Sequence, residues 1–183
     1  MKAITPVKQA KTLFISAGHS STDPGAVGNG HTEAQIVTEF RNLVAIELDK
    51  MGIDFDTDGA GSENLPLRTA AQWASRRDIA IEWHCNAFSN PAATGTETLS
   101  AGHHYPLAAK LCEVTADCLG IKNRGTKGES SGQHSRLAFI NTGGGIIHEL
   151  FFITNRSDLH RYLNNREQLA YEIAQVLAQE VRS

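Results

Sequence analysis

LFISAGHSSTDPGAVGNGHTEAQIVTEF, residues 13–40, is the stretch whose reading decides the fold. Leu13 to Ala17 is a short apolar run that ends in Gly-His, the pattern of a buried strand running out into a loop. Residues 18–31 are dense in Gly, Ser, Asp and Pro and read as that loop. Thr32 then opens a helix expected to reach about Met51. Threonine is a good N-cap, and Ile36, Phe40, Leu43, Val44, Leu48 and Met51 largely keep helical spacing. Gly52 suits the position just past the helix end. Strand, Gly-rich loop and helix in this order form the opening unit of an α/β domain.

The same alternation continues outward from that unit. Residues 53–55 are read as a short strand, 56–64 as a polar loop and Leu65 to Arg77 as a second helix. Ile79 to His84 and Thr96 to Leu99 are read as strands, with a loop over 88–95. Tyr105 to Leu119 carries an apolar stripe at helical spacing, and Gly120 to Gln133 is expected to be an exposed loop. Leu137 to Ile140 is a short apolar segment, and Ile146 to Phe151 reads as a strand. A helical tail follows in two pieces, Asp158–Leu163 and Glu167–Val181. The fold expected is a single α/β domain over residues 12–183, with a largely parallel, twisted central sheet and helices on both faces. Residues 1–11 are polar, lack a clear period and are expected to form an N-terminal arm.

Composition narrows the function. The chain has 183 residues, 40% of them hydrophobic, enough for one domain with a real core. A net charge of −3 and the lack of a Lys/Arg-rich stretch argue against a nucleic-acid partner or an anionic membrane surface. No apolar run reaches the roughly 18 residues of a membrane span, so no membrane insertion is expected. The apolar run Leu13–Ala17 is also shorter than the roughly 7–15 residues of a secretory core segment. The expectation is therefore synthesis in the cytoplasm without a signal peptide, unless a leader has been trimmed. Three cysteines without a CxxC pair make no disulfide framework. Cys112 and Cys118 fall in an apolar helical stretch and read as core, whereas Cys85 follows a candidate ligand.

In open α/β sheets functional groups gather beyond the carboxyl ends of strands. His19 follows the first strand, His84 ends the middle one, Glu149 lies late in the last, and Glu33 opens the first helix. All four can converge on one edge of the sheet. Two histidines and one carboxylate with an open fourth position make a catalytic zinc set, and a further carboxylate can then move protons. Each residue also has a plain reading. His19 can be a surface residue, Glu33 a helix-dipole carboxylate and His84 a satisfied core histidine. Glu149 fits a plain reading least, because a buried unpaired carboxylate is expensive.

The motifs taken together resemble the zinc-dependent N-acetylmuramoyl-L-alanine amidases of the type 3 catalytic family. The opening of that family is matched by SAGHSSTDPGAVGNGHTEAQ, its S-x-H-x-N motif by EWHCNAFSNPAATGTET, and its closing strand-Glu motif by GGIIHELFFITN. The resemblance runs from about Leu13 to the C-terminus. It implies a Zn²⁺ cofactor held by His19, Glu33 and His84, with Glu149 as the catalytic glutamate and Arg68 in a structural role. It also implies a peptidoglycan substrate cut between N-acetylmuramic acid and L-alanine. Action at the cell wall by a monomer is expected, with a phage lysin as one origin. The chain departs from the family in two places: the opening motif normally has Asp where this chain has Ser16, and the second glycine of its GHGG is a serine here. His31, His103, His104, His134 and His148 match no ligand position, and His148 is expected to pack behind Glu149. Two other readings remain open at this point: a metal-free Cys/His amidohydrolase using Cys85, and a non-catalytic cell-wall-binding module.

Overall fold

The computed structural model describes residues 10–129 and 137–183. Most of the expected arm lies outside them, as do residues 130–136 of the expected loop and His134. Six strands form the central sheet: β1 (Leu13–Ala17), β4 (Asp56–Thr57), β5 (Ile79–Asn86), β6 (Thr96–Leu99), β7 (Asn123–Lys127) and β8 (Ile146–Phe152). Their spatial order is β4-β1-β5-β8-β6-β7. Pairing is parallel everywhere except between β6 and β8. The Gly-rich loop after β1 carries a small antiparallel ribbon of β2 (Val27–Gly28) and β3 (His31–Thr32).

Helices cover both faces, as expected. On one side α1 (Glu33–Lys50), α3 (Tyr105–Leu119) and α5 (Arg156–Arg182) pack against Leu13, Ile15, Ile81, Trp83 and Leu150. On the other, the short helices α2 (Leu67–Ala74) and α4 (Ala138–Asn141) cover Phe14, Ala80, Leu99 and Ile147. Strand alternation sends Ser16, Glu82, His84 and Glu149 to this second side. Here the helical cover is thin, and the carboxyl ends of the strands remain open to a cleft.

The main helix forms where its caps predict. Thr32 accepts from the Gln35 backbone N–H, and Gln35 returns the bond in a capping box. Gly52 takes the left-handed conformation just beyond the end, with φ +66°.

Several boundaries differ from the sequence reading, each for a tertiary reason. The first edge strand is Asp56–Thr57, after the expected 53–55, because register with Phe14 and Ile15 selects it. The second helix starts later, behind Pro66, and ends at Ala74. Within the expected loop over 120–133, Asn123–Lys127 is a strand paired with β6. Its sequence NRGTK has no apolar residue, and a charged edge strand of this kind leaves no period to read. The short apolar segment from Leu137 becomes one turn of helix, α4. The tail is one continuous helix through Asn164 and Asn165, because Leu159, Tyr162, Leu169 and Ile173 bury along a single face and outweigh local propensity.

Candidate metal centre and cleft

His19 stands one residue beyond Gly18, where the chain leaves β1 and turns tightly. Ser20 and Asp23 exchange backbone hydrogen bonds at 3.0 and 3.1 Å across that turn. Gly25 follows with φ +63°, and a Cβ there would meet Glu33 Oε2 and His19 Cδ2, each at 2.7 Å. Gly18 lies against the His84 imidazole, since a Cβ on it would fall 2.1 Å from His84 Cε1. Both glycines are therefore required by close approach to the cluster.

The three expected ligands come together. One donor atom each from His19, Glu33 and His84 lies within 4.8 Å of the others. Glu33 Oε1 is 3.3 Å from His19 Nε2 and 3.0 Å from His84 Nδ1, and it accepts from the Cys85 backbone N–H at 2.9 Å. Glu33 Oε2 accepts from the Ala26 N–H at 2.9 Å. The outward nitrogen of each imidazole meets a second carboxylate: His19 Nδ1 lies 3.0 Å from Asp23 Oδ2, and His84 Nε2 lies 3.0 Å from Glu82 Oε1. Histidines that ligate metals characteristically hold their other nitrogen this way.

Burial pushes the Glu33 carboxyl up, but hydrogen bonds and charge from His19 and His84 outweigh it and hold the group well below its usual range. Burial lowers both imidazoles, yet the surrounding carboxylates raise His19 above its ordinary value and His84 well above it. Asp23, Glu33, Glu82 and Glu149 thus create a negative region that draws a compensating positive charge. Nitrogen and carboxylate donors set around a common point in such a region fit Zn²⁺.

Glu149 sits directly across from His84 in the β5–β8 register and faces the same cleft of about 810 Å³. It does not join the donor cluster. Among the described residues its Oε2 is buried without a partner, and burial, reinforced by the charges of Glu33 and Glu97, raises its pKa to about 7 despite His84. On the far wall Glu97 accepts from Arg124 Nε at 2.5 Å and Lys127 Nζ at 2.6 Å, and these bonds hold it low against the opposing effect of burial.

The remaining sequence candidates have other places. Cys85 points away from His84 into the core beneath α1 and α5, and burial pushes its thiol well above the ordinary value. That is opposite to the low pKa a nucleophilic thiol needs. His148 is buried behind the sheet, with Nε2 3.2 Å from both Thr96 Oγ1 and Thr115 Oγ1. Burial lowers its pKa to about 3, consistent with the packing role expected. Arg68 is exposed on α2, and the arginine buried beside the site is Arg41. Its Nη1 donates to Asp58 Oδ1 at 3.0 Å and to Asn64 Oδ1 at 2.8 Å. Asn64 in turn donates to the carbonyls of Ala17 and His19 at 2.5 and 2.8 Å, fixing the backbone from which His19 projects. Asp23, Arg41, Asp58, Asn64 and Glu82 went unrecognised in the sequence. Only the Asp-Pro-Gly run around Asp23 carried any signal there.

Fold and cluster together define an α/β domain with a His–Glu–His donor set of a kind able to hold a metal ion, at the floor of an open cleft. The chain belongs to the type 3 catalytic family of N-acetylmuramoyl-L-alanine amidases: the family model described as N-acetylmuramoyl-L-alanine amidase matches residues 13–179. It is similar to a crystal structure from Neisseria meningitidis described as an N-acetylmuramoyl-L-alanine amidase. That match has 40% identity and a TM-score of 0.85 over 93% of this chain and 95% of the other. It is 30% identical to YqiI of Bacillus subtilis over 164 residues, 86% of this chain and 77% of YqiI. It is 27% identical to the N-acetylmuramoyl-L-alanine amidase LytC of Bacillus subtilis over 161 residues, 81% of this chain but 30% of LytC. Among the described residues no helix is long and apolar enough to cross a membrane.

Proposed function

We propose that this domain is a zinc-dependent amidase that hydrolyses the bond between N-acetylmuramic acid and the L-alanine of the peptidoglycan stem peptide. The observation that carries the reading is the pairing of a His19–Glu33–His84 donor set with a separate carboxylate, Glu149, on the adjacent strand. Family membership supports the substrate. His19, Glu33 and His84 would hold the metal. A zinc ion bound there supplies Lewis-acid chemistry, polarising the scissile carbonyl and lowering the pKa of water.

The chain's own groups do the rest. Asp23 holds the outward nitrogen of His19, which leaves the inward one to face the metal position. Glu149 takes the proton of the attacking water on Oε2 and returns it to the departing L-alanine nitrogen. A raised carboxyl pKa suits both halves of that exchange. The apolar rim of the cleft, with Phe88 and Phe152, gives the glycan and peptide a surface to lie on.

Metal analysis beside digestion of purified peptidoglycan tests the reading. About one zinc per chain is expected, with new L-alanine amino termini and no new reducing ends. His19→Ala and His84→Ala should lose both zinc and activity. Release of reducing sugars, or full zinc retention by either variant, would overturn it.

A further inference from the structure

Glu82 is buried, 2% exposed, and takes no part in the reaction above. It lies two residues before His84 on β5 and so shares its face. Its Oε1 meets His84 Nε2 at 3.0 Å, and its Oε2 lies 3.3 Å from Ser16 Oγ. The Ser16 hydroxyl is much closer to Asp58 Oδ2, at 2.6 Å, so its single proton goes to Asp58. Asp58 itself is occupied by Arg41 and the Ala17 N–H. The strong donor left to Glu82 is the Nε2–H of His84, and a buried carboxylate without a donor is costly.

We propose that Glu82 is a positioning residue that holds His84 as its Nε2–H tautomer, so that the Nδ1 lone pair is directed at the metal centre. The inference rests on the zinc-amidase reading above and extends it to a group outside the expected ligand set. It also accounts for the departure at Ser16. The motifs that this chain resembles carry Asp at the position of Ser16 and, in S-x-H-x-N, Ser at that of Glu82, whereas this chain carries Ser at the first and Glu at the second. Ser16 and Glu82 are direct register partners on β1 and β5. Neighbouring strands lie about 4.8 Å apart, so an acid on either strand can reach the same nitrogen. The exchange moves the carboxylate across one strand spacing and keeps one acid in the pair.

Zinc affinity, measured by competition with a chromophoric chelator, and ¹⁵N NMR of the histidines test this directly. Wild-type protein should bind zinc stoichiometrically. If it does not, the zinc-amidase reading fails before any variant is considered. Glu82→Ala should weaken zinc binding by about 10–100-fold, the usual cost of removing an outer carboxylate. It should also remove the Nε2–H signature of His84 while leaving that of His19. Glu82→Gln, which preserves shape and can still accept from Nε2–H, should fall between the two. Adding Ser16→Asp to Glu82→Ser should recover most of the lost affinity. Wild-type affinity with an unchanged His84 tautomer in both Glu82→Ala and Glu82→Gln would overturn the proposal. So would failure of the Ser16→Asp exchange to restore any affinity.

Discussion

On the side of the sheet covered by α1, α3 and α5, the strands present Leu13, Ile15, Ile81, Trp83 and Leu150. On the other side, alternating with them along the same strands, they present Ser16, Glu82, His84 and Glu149. The first set is closed by long helices and by aromatic contacts such as Phe40 edge-on to Trp83 at 5.3 Å. The second is roofed only by α2 and α4, and that roof stops short of the carboxyl ends of the strands. A buried carboxylate is tolerable only where donors or a cation meet it, so the charged groups crowd where α1 brings in Glu33 and the glycines let His19 and His84 approach. One side therefore holds most of the buried apolar side chains, while the other holds groups that would destabilise an ordinary core. Substitutions on the two sides should be separable.

The largest expected effect is on the open side. Glu149→Gln keeps the shape but cannot accept a proton, so turnover should drop by roughly 10²–10⁴-fold while zinc content stays near wild type. Steady-state rates beside metal analysis check this. Loss of zinc would make Glu149 a ligand, and wild-type turnover would place the base elsewhere. The wild-type rate should fall about tenfold per pH unit on the acid side of an apparent pKa at or below about 7, because the ionised base is required and a bound dication lowers its pKa. Stability of the metal-free protein should run the other way. A carboxyl raised from 4.5 to about 7 makes folding less favourable as pH rises through that window. Metal-free Glu149→Gln should thus unfold at higher urea than wild type at about pH 8, and at a similar concentration at about pH 4.

Next comes the closed side. Phe40 is fully buried against Trp83 and Tyr162. Phe40→Ala should cost about 3–5 kcal/mol of stability, read as a shift in denaturant midpoint. Zinc affinity of the folded fraction should change little. A large loss of affinity at low temperature would mean the two sides are coupled through α1, which carries both Phe40 and Glu33.

The smallest effect is expected at Cys85, the residue that joins the two sides. Its N–H serves Glu33 while its thiol packs in the core. Cys85→Ala should retain near-wild-type turnover and lose only about 1 kcal/mol, the scale of one small buried group. Abolished activity in a folded, zinc-loaded variant would revive the thiol reading.

The α/β class, the first helix with both its ends and the neighbourhood of His19, Glu33, His84 and Glu149 were legible in the sequence. Periodicity, caps and chain order are local properties, and strand ends that precede Gly-rich loops mark themselves. Edge strand β7 and the unbroken α5 were not legible. A charged edge strand exists only because β6 offers it a ladder, and Asn164-Asn165 stays helical only because the flanking turns are packed. The supporting network was equally hidden. Arg41 lies on α1, Asp58 and Asn64 in the loop after β4, and Glu82 on β5, and each alone reads as an ordinary polar residue. Strand alternation alone puts Glu82 on the face of His84, but only the tertiary structure brings Asp58 to Ser16 and so leaves Glu82 to His84, because contacts between separate segments depend on pairing that no local pattern encodes.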